Sequence, residues 1–152
     1  MKKCTLCVVL VISCLVFSIT NAQVNVCVWC ASNVNEQPDW GPTGYNFVYY
    51  YYMPEMEVYY YVPGHRFIYQ KKGVWITSPT LPARYAVFDL YRVYKVVIND
   101  DDNYPYLNDD ANRVQYGTFK KQHDQPVIRD SRDMRYQKRK GISGLSWDNS
   151  AT

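Results

Sequence analysis

Cys27-Val28-Trp29-Cys30 is the first stretch whose residue types and spacing could do chemistry. A C-x-x-C acts as a redox site when it opens a helix after a strand, because the helix dipole lowers the pKa of the leading thiol. No βαβ pattern follows this one. The expected use of Cys27 and Cys30 is a disulfide, local or intermolecular, with a thiol oxidoreductase as the alternative. Glu55 and Glu57 come next. On a strand they would share one face and could act as the paired carboxylates of a hydrolase. The plainer reading is a solvated strand edge. His65 and His123 lack the spacing of a metal pair. Asp100-Asp101-Asp102 lacks the glycine and ligand spacing of a calcium loop. No G-x-S-x-G or H-E-x-x-H occurs. No metal or cofactor is expected, and no catalytic residue is assigned.

The tyrosines are the stronger signal. They crowd two runs, Phe47 to Met53 and Met56 to Val62. On a strand Phe47, Tyr49, Tyr51 and Met53 share one face, and Val48, Tyr50 and Tyr52 the other. Both faces carry apolar bulk. Either the sheet is covered on both sides, with hydroxyls reaching polar partners at its rim, or one face is open to a flat partner. The second reading makes Tyr49, Tyr51, Tyr59, Tyr61 and Trp75 candidate binding residues for a protein or glycan.

These residues need elements to hold them. Phe47 to Met53 has β-propensity at every position until Pro54 interrupts it. Met56 to Val62 ends at Pro63-Gly64, which suits a type II turn. Phe67 to Gln70, Val74 to Thr77 and Tyr94 to Ile98 read as further strands. The connections are too short for parallel crossovers, so the strands form an antiparallel meander. Residues 83–92 are open between helix and strand, with Pro82 suited to a first helical position. Asn108-Asp109-Asp110 is placed to start a helix running to about Phe119. The fold class is mainly β, at most a small α+β: a tyrosine-rich antiparallel meander with one short helix near its C-terminal end. Phe47 to Met53, uncharged and free of proline, is expected to be central or covered rather than an open edge.

The ends of the chain differ from this body. Lys2-Lys3, an apolar run from Cys4 to about Ile19 and Thr20-Asn21-Ala22 make a secretory signal cut after Ala22. Val11-Ile12-Ser13-Cys14 is a looser lipoprotein-like alternative. The apolar run is short for a membrane span. With 17 Lys and Arg against 14 Asp and Glu, the chain carries +3, and loss of Lys2 and Lys3 leaves +1. Basic residues gather after Gly117, yet Asp124, Asp130 and Asp133 interrupt them, and export argues against a nucleic-acid partner. The division expected is a signal over 1–22, an arm with the C-x-x-C over 23–38, the β-rich domain over 39–119 and a loosely ordered basic tail over 120–152.

Trp40-Gly41-Pro42, the two tyrosine runs turning at Met53-Pro54, Phe67-Ile68-Tyr69, Gly73-Val74-Trp75, Leu81-Pro82-Ala83-Arg84-Tyr85, Asp89-Leu90-Tyr91 and Tyr94-Lys95-Val96-Val97 form a pattern. It resembles a group of small uncharacterised exported proteins of Bacteroidetes-type bacteria. The resemblance covers somewhat over half of the chain after Ala22. It implies an exported bacterial protein and brings no activity with it. The function expected is a non-enzymatic periplasmic or cell-envelope binding module that uses an aromatic sheet face. The alternatives are an envelope enzyme, through Cys27 and Cys30 or through Glu55 and Glu57, and a structural component that self-associates through edge strands.

Overall fold

The computed structural model describes residues 32–99 and 104–137. The C-x-x-C, the signal segment, the aspartate run at 100–102 and the end of the tail lie outside the described residues. The sheet has five antiparallel strands: β1 (Tyr50–Met53), β2 (Val58–Tyr61), β3 (Arg66–Lys71), β4 (Val74–Ser78) and β5 (Val96–Ile98). Their order is β4-β3-β2-β1-β5. The first four strands follow one another as a meander, and the long connection after β4 returns β5 to the other side of β1. The uncharged run expected to be central is therefore flanked on both sides.

Turn chemistry fixes the registers. Met53 pairs with Val58, and Tyr61 with Arg66, across four-residue loops. Each loop ends on a residue in the left-handed region, Glu57 at φ 53° and His65 at φ 51°. The type II turn expected at Pro63-Gly64 is not formed. His65, not Gly64, takes the positive φ, while the His65 N–H donates to the Val62 carbonyl at 3.1 Å. The β3–β4 loop is the two-residue Lys72-Gly73, with φ of 53° and 78°, the signs of a type I′ hairpin.

Alternation then sorts the aromatics onto two faces. On the first, Tyr51, Tyr60 and Phe67 form a cross-strand row, with Trp40 seated over it 4.9 Å from Tyr60. Val48, Met53, Val58 and Tyr69 continue this face, and Leu81, Tyr85, Phe88 and Leu90 cover it. On the second face Tyr52 stacks on Tyr59 at 4.6 Å. Tyr106 and Tyr116 pack over that pair. Both come from the helical segment, a 3-10 turn at Pro105–Asn108 followed by α1 (Asp109–Tyr116). The acidic start of α1 suits the helix dipole, although Asn108 makes no side-chain cap bond. Residues 83–92 are neither helix nor strand but a 3-10 turn at Ala83–Tyr85 followed by further turns.

The expected strand residues Phe47 to Tyr49 and Tyr94-Lys95 lie outside the strands, and side-chain amides bond part of their backbone. Asn33 brackets Val48, donating to its carbonyl at 2.6 Å and accepting from its N–H at 2.9 Å. Asn99 donates to the Phe47 carbonyl and accepts from the Tyr49 N–H. Gln125 treats Lys95 the same way, at 2.9 Å in each direction. A side-chain amide carries both donor and acceptor, so it stands in for a strand neighbour over one or two residues. Asn33→Ala should therefore cost about 2–4 kcal/mol, because it leaves the buried Val48 backbone unpaired. The check is a lower urea midpoint with an unchanged slope.

The loosely ordered arm and tail are corrected where they are described. Pro42 forms a β-bridge with Val127, and Ile128 and Arg129 donate their N–H groups to Gly41 and Asp39 carbonyls, each at 2.9 Å. Val34, Ile128 and Tyr136 make a small core of their own. The Tyr136 hydroxyl accepts from the Gly44 N–H at 3.0 Å. A few buried apolar side chains and several backbone bonds suffice to fasten a charged segment whose composition reads as solvated.

Candidate functional site

The five aromatic candidates do not share a face. Tyr51 and Tyr59 are fully buried on opposite sides of the sheet. That corrects their role as a binding surface: both are core. The Tyr51 hydroxyl donates to the Gln37 side chain at 3.3 Å. Gly41 lies so close beneath that hydroxyl that an added Cβ would sit 2.7 Å from it. The Tyr59 hydroxyl donates to Asp109 at 2.9 Å and accepts from Asn112 at 2.9 Å. Burial raises the Tyr59 pKa well above its usual value, and it also raises that of Tyr52, whose buried hydroxyl finds no partner among the described residues. Tyr61 and Trp75 are half-buried, and Tyr49 alone of the five is exposed, at 44 %.

Glu55 and Glu57 are not on a strand. They occupy the β1–β2 turn, and the positive φ of Glu57 breaks the alternation that would have aligned them. Glu57 pairs with Arg113 and Lys120, and Glu55 stands 3.8 Å from His123. A carboxylate held by two cations is a structural anchor for α1, not half of an acid–base pair. Among the described residues, no His, Cys, Asp and Glu side chains gather as a metal site.

Two features were hidden from sequence reasoning. One is a cleft of about 480 Å³ between residues 89–92 and 123–131, lined by Asp89, Tyr91, Arg92, His123, Gln125 and Arg129 among others. The Arg129 guanidinium lies 3.9 Å over the Tyr91 ring. Lys95, whose backbone is bonded by Gln125, is 1 % exposed, and its ammonium has no hydrogen-bond partner among the described residues. Burial lowers its pKa to about 8, while the charge of Asp89 opposes the shift. In sequence Lys95 is one more residue of a β-branched run, and nothing local shows that its head group is enclosed.

The other feature is an open sheet edge. Lys71 and Val74 flank the two-residue loop and form its hydrogen-bonded pair. The pairs then alternate, so Val74, Ile76 and Ser78 point their backbone groups at β3. Trp75 and Thr77 point theirs away from the sheet. Among the described residues no strand pairs with that side of β4. At the opposite edge Gln125 closes the backbone of Lys95, just before β5, and among the described residues no strand pairs with the outer side of β5 either. Val74, at the start of β4, is 60 % exposed, and the strand carries no charge and no proline. Such an edge presents a ready template for another strand. No helix among the described residues is long and apolar enough to cross a membrane. No protein-family model, curated protein or solved structure matches the chain.

Proposed function

We propose that the chain is an exported, non-enzymatic interaction module of the cell envelope that binds an extended protein segment along β4. The observation that carries this reading is the pair of outward backbone groups at Trp75 and Thr77, which no strand among the described residues meets, on an uncharged five-residue strand. Strand addition draws its affinity from main-chain hydrogen bonds and its selectivity from alternate side chains. Here those side chains are Trp75 and Thr77 on one face, with Val74 and Ile76 on the other. Trp75 stands 5.8 Å from Tyr59 and 5.3 Å from Tyr106, which hold its indole against the sheet. The covered faces explain why an aromatic-rich domain offers an edge rather than a face. Export rests on the leader-like residues 1–22.

The test places a photo-reactive benzoylphenylalanine at Val74 and illuminates the exported protein in its own envelope. A cross-linked product is expected, and Thr77→Pro in the same chain should abolish it. Thr77 donates outward, so proline there removes an edge donor without taking a bond from the β3 ladder. An equal yield with proline present would overturn the reading. Export is checked separately, by finding Gln23 as the first residue of the mature protein.

A further inference from the structure

The geometry points to a second copy of this chain as the occupant of β4, joined antiparallel about a two-fold axis through Ile76. This inference rests on the strand-addition reading and names its partner. An isologous contact needs a surface that is complementary to itself. The outward-pointing residues of β4 are Trp75 and Thr77, placed symmetrically about Ile76. With Ile76 opposite its own copy, Trp75 falls opposite the Thr77 position of the other chain, and Thr77 opposite its Trp75. Both are then hydrogen-bonded pairs, in which each residue exchanges N–H and carbonyl with its opposite. Ile76 itself takes the non-hydrogen-bonded position, which suits it because its own backbone groups already serve β3.

The neighbouring registers do worse. Centring the axis on Trp75 or on Thr77 leaves one hydrogen-bonded pair instead of two and turns the remaining outward groups away from partners. Side chains agree with the Ile76 register. The half-buried Trp75 ring would lie beside a threonine, a pairing of the aromatic and β-branched types that favour cross-strand contact. Charge also permits it. β4 has no ionisable residue, and the nearest lysines, Lys71 and Lys72, lie at its Val74 end. In the antiparallel pair the two Val74 ends are roughly 13 Å apart, so the lysines of the two copies do not meet. Other occupants stay in view as outcomes: a different protein, or residues of the same chain outside those described, such as the alternating Val24, Val26 and Val28.

The experiment combines sedimentation equilibrium of the full chain, carried through its own export, with the Val74 cross-link. Expected are a mass rising with concentration toward twice that of the chain, and a cross-linked product of two identical chains. Amide exchange at Trp75 and Thr77 should slow as concentration rises, a readout on the unaltered protein that does not depend on any variant folding. Thr77→Pro should weaken self-association at least about tenfold, since the dyad doubles the loss of one donor. A chain that stays monomeric while the cross-link joins a different protein overturns the second copy and leaves strand addition standing. A cross-link within one chain, or none, overturns both. Self-association unaffected by Thr77→Pro, with exchange at Trp75 and Thr77 independent of concentration, overturns the dimer through this edge.

Discussion

Above pH 10 the domain is expected to lose stability steeply and unfold in a single alkaline transition. The cause lies in three tyrosines that face the core on the second side of the sheet. Burial pushes Tyr50 up to about 12, with the neighbouring phenols of Tyr61 and Tyr106 adding to the effect. Tyr52 and Tyr59 are raised further, again chiefly by burial. In the unfolded chain each phenol ionises near its ordinary value of about 10. The unfolded state therefore releases protons first, and stability falls as pH rises above that value. It is fully present below pH 10. Each such tyrosine removes about 1.4 kcal/mol per pH unit, so the three together remove about 4 kcal/mol per unit. Against a typical domain stability of about 5–15 kcal/mol, about one to four pH units suffice. The measurement follows tyrosinate absorbance and circular dichroism together. Coincident steps are expected. Ionisation of all 16 tyrosines near pH 10 with the fold intact would contradict the buried hydroxyls.

Lys95→Met is expected to stabilise the protein by about 1–3 kcal/mol at neutral pH. The ammonium of Lys95 is enclosed without a hydrogen-bond partner among the described residues. Its pKa falls from 10.5 to about 8, through burial. That gap corresponds to roughly 3 kcal/mol of penalty for holding the charge inside. Here the unfolded chain binds more protons between pH 8 and 10.5, so stability rises with pH across that window, opposite in sign to the tyrosines. Below pH 8 the penalty is present in full. Replacing an enclosed charge by an apolar chain of similar length removes it. Urea midpoints at pH 7 and at pH 9.5 decide the matter. The native protein should gain stability between them, and the Lys95→Met protein should not. A loss of stability in Lys95→Met would mean that the ammonium is paired and worth keeping.

Both predictions concern residues that the sequence displays openly, yet only their environment gives them these properties. Tyr50 and Tyr59 look alike in the chain. Tyr59 ends between Asp109 and Asn112, fifty residues and more away. The strand-like pairing of Lys95 with Gln125 spans thirty residues. Glu55 and Glu57 show the reverse. Their alternate spacing suggested a shared face, and a single left-handed residue in the turn placed Glu57 against Arg113 and Lys120 instead.

The sequence by itself determined the strands, their antiparallel meander, the central place of the first tyrosine run and the helix after Asn108. These are local properties. Alternation with period two, β-branched and aromatic side chains, and Pro, Gly and paired charges at the turns act over a few residues and are read directly from them. Tertiary structure alone decided which aromatics became core, that both faces are covered, and that the basic segment through Tyr136 is fastened to Gly44 and Tyr45. Those outcomes depend on what packs over a face or beside a strand. The covering residues arrive from distant parts of the chain, so no window of neighbouring residues contains the information. For Trp75 and Thr77 the alternation of the strand sets the direction of each backbone group, and among the described residues no strand lies beyond β4 to meet them.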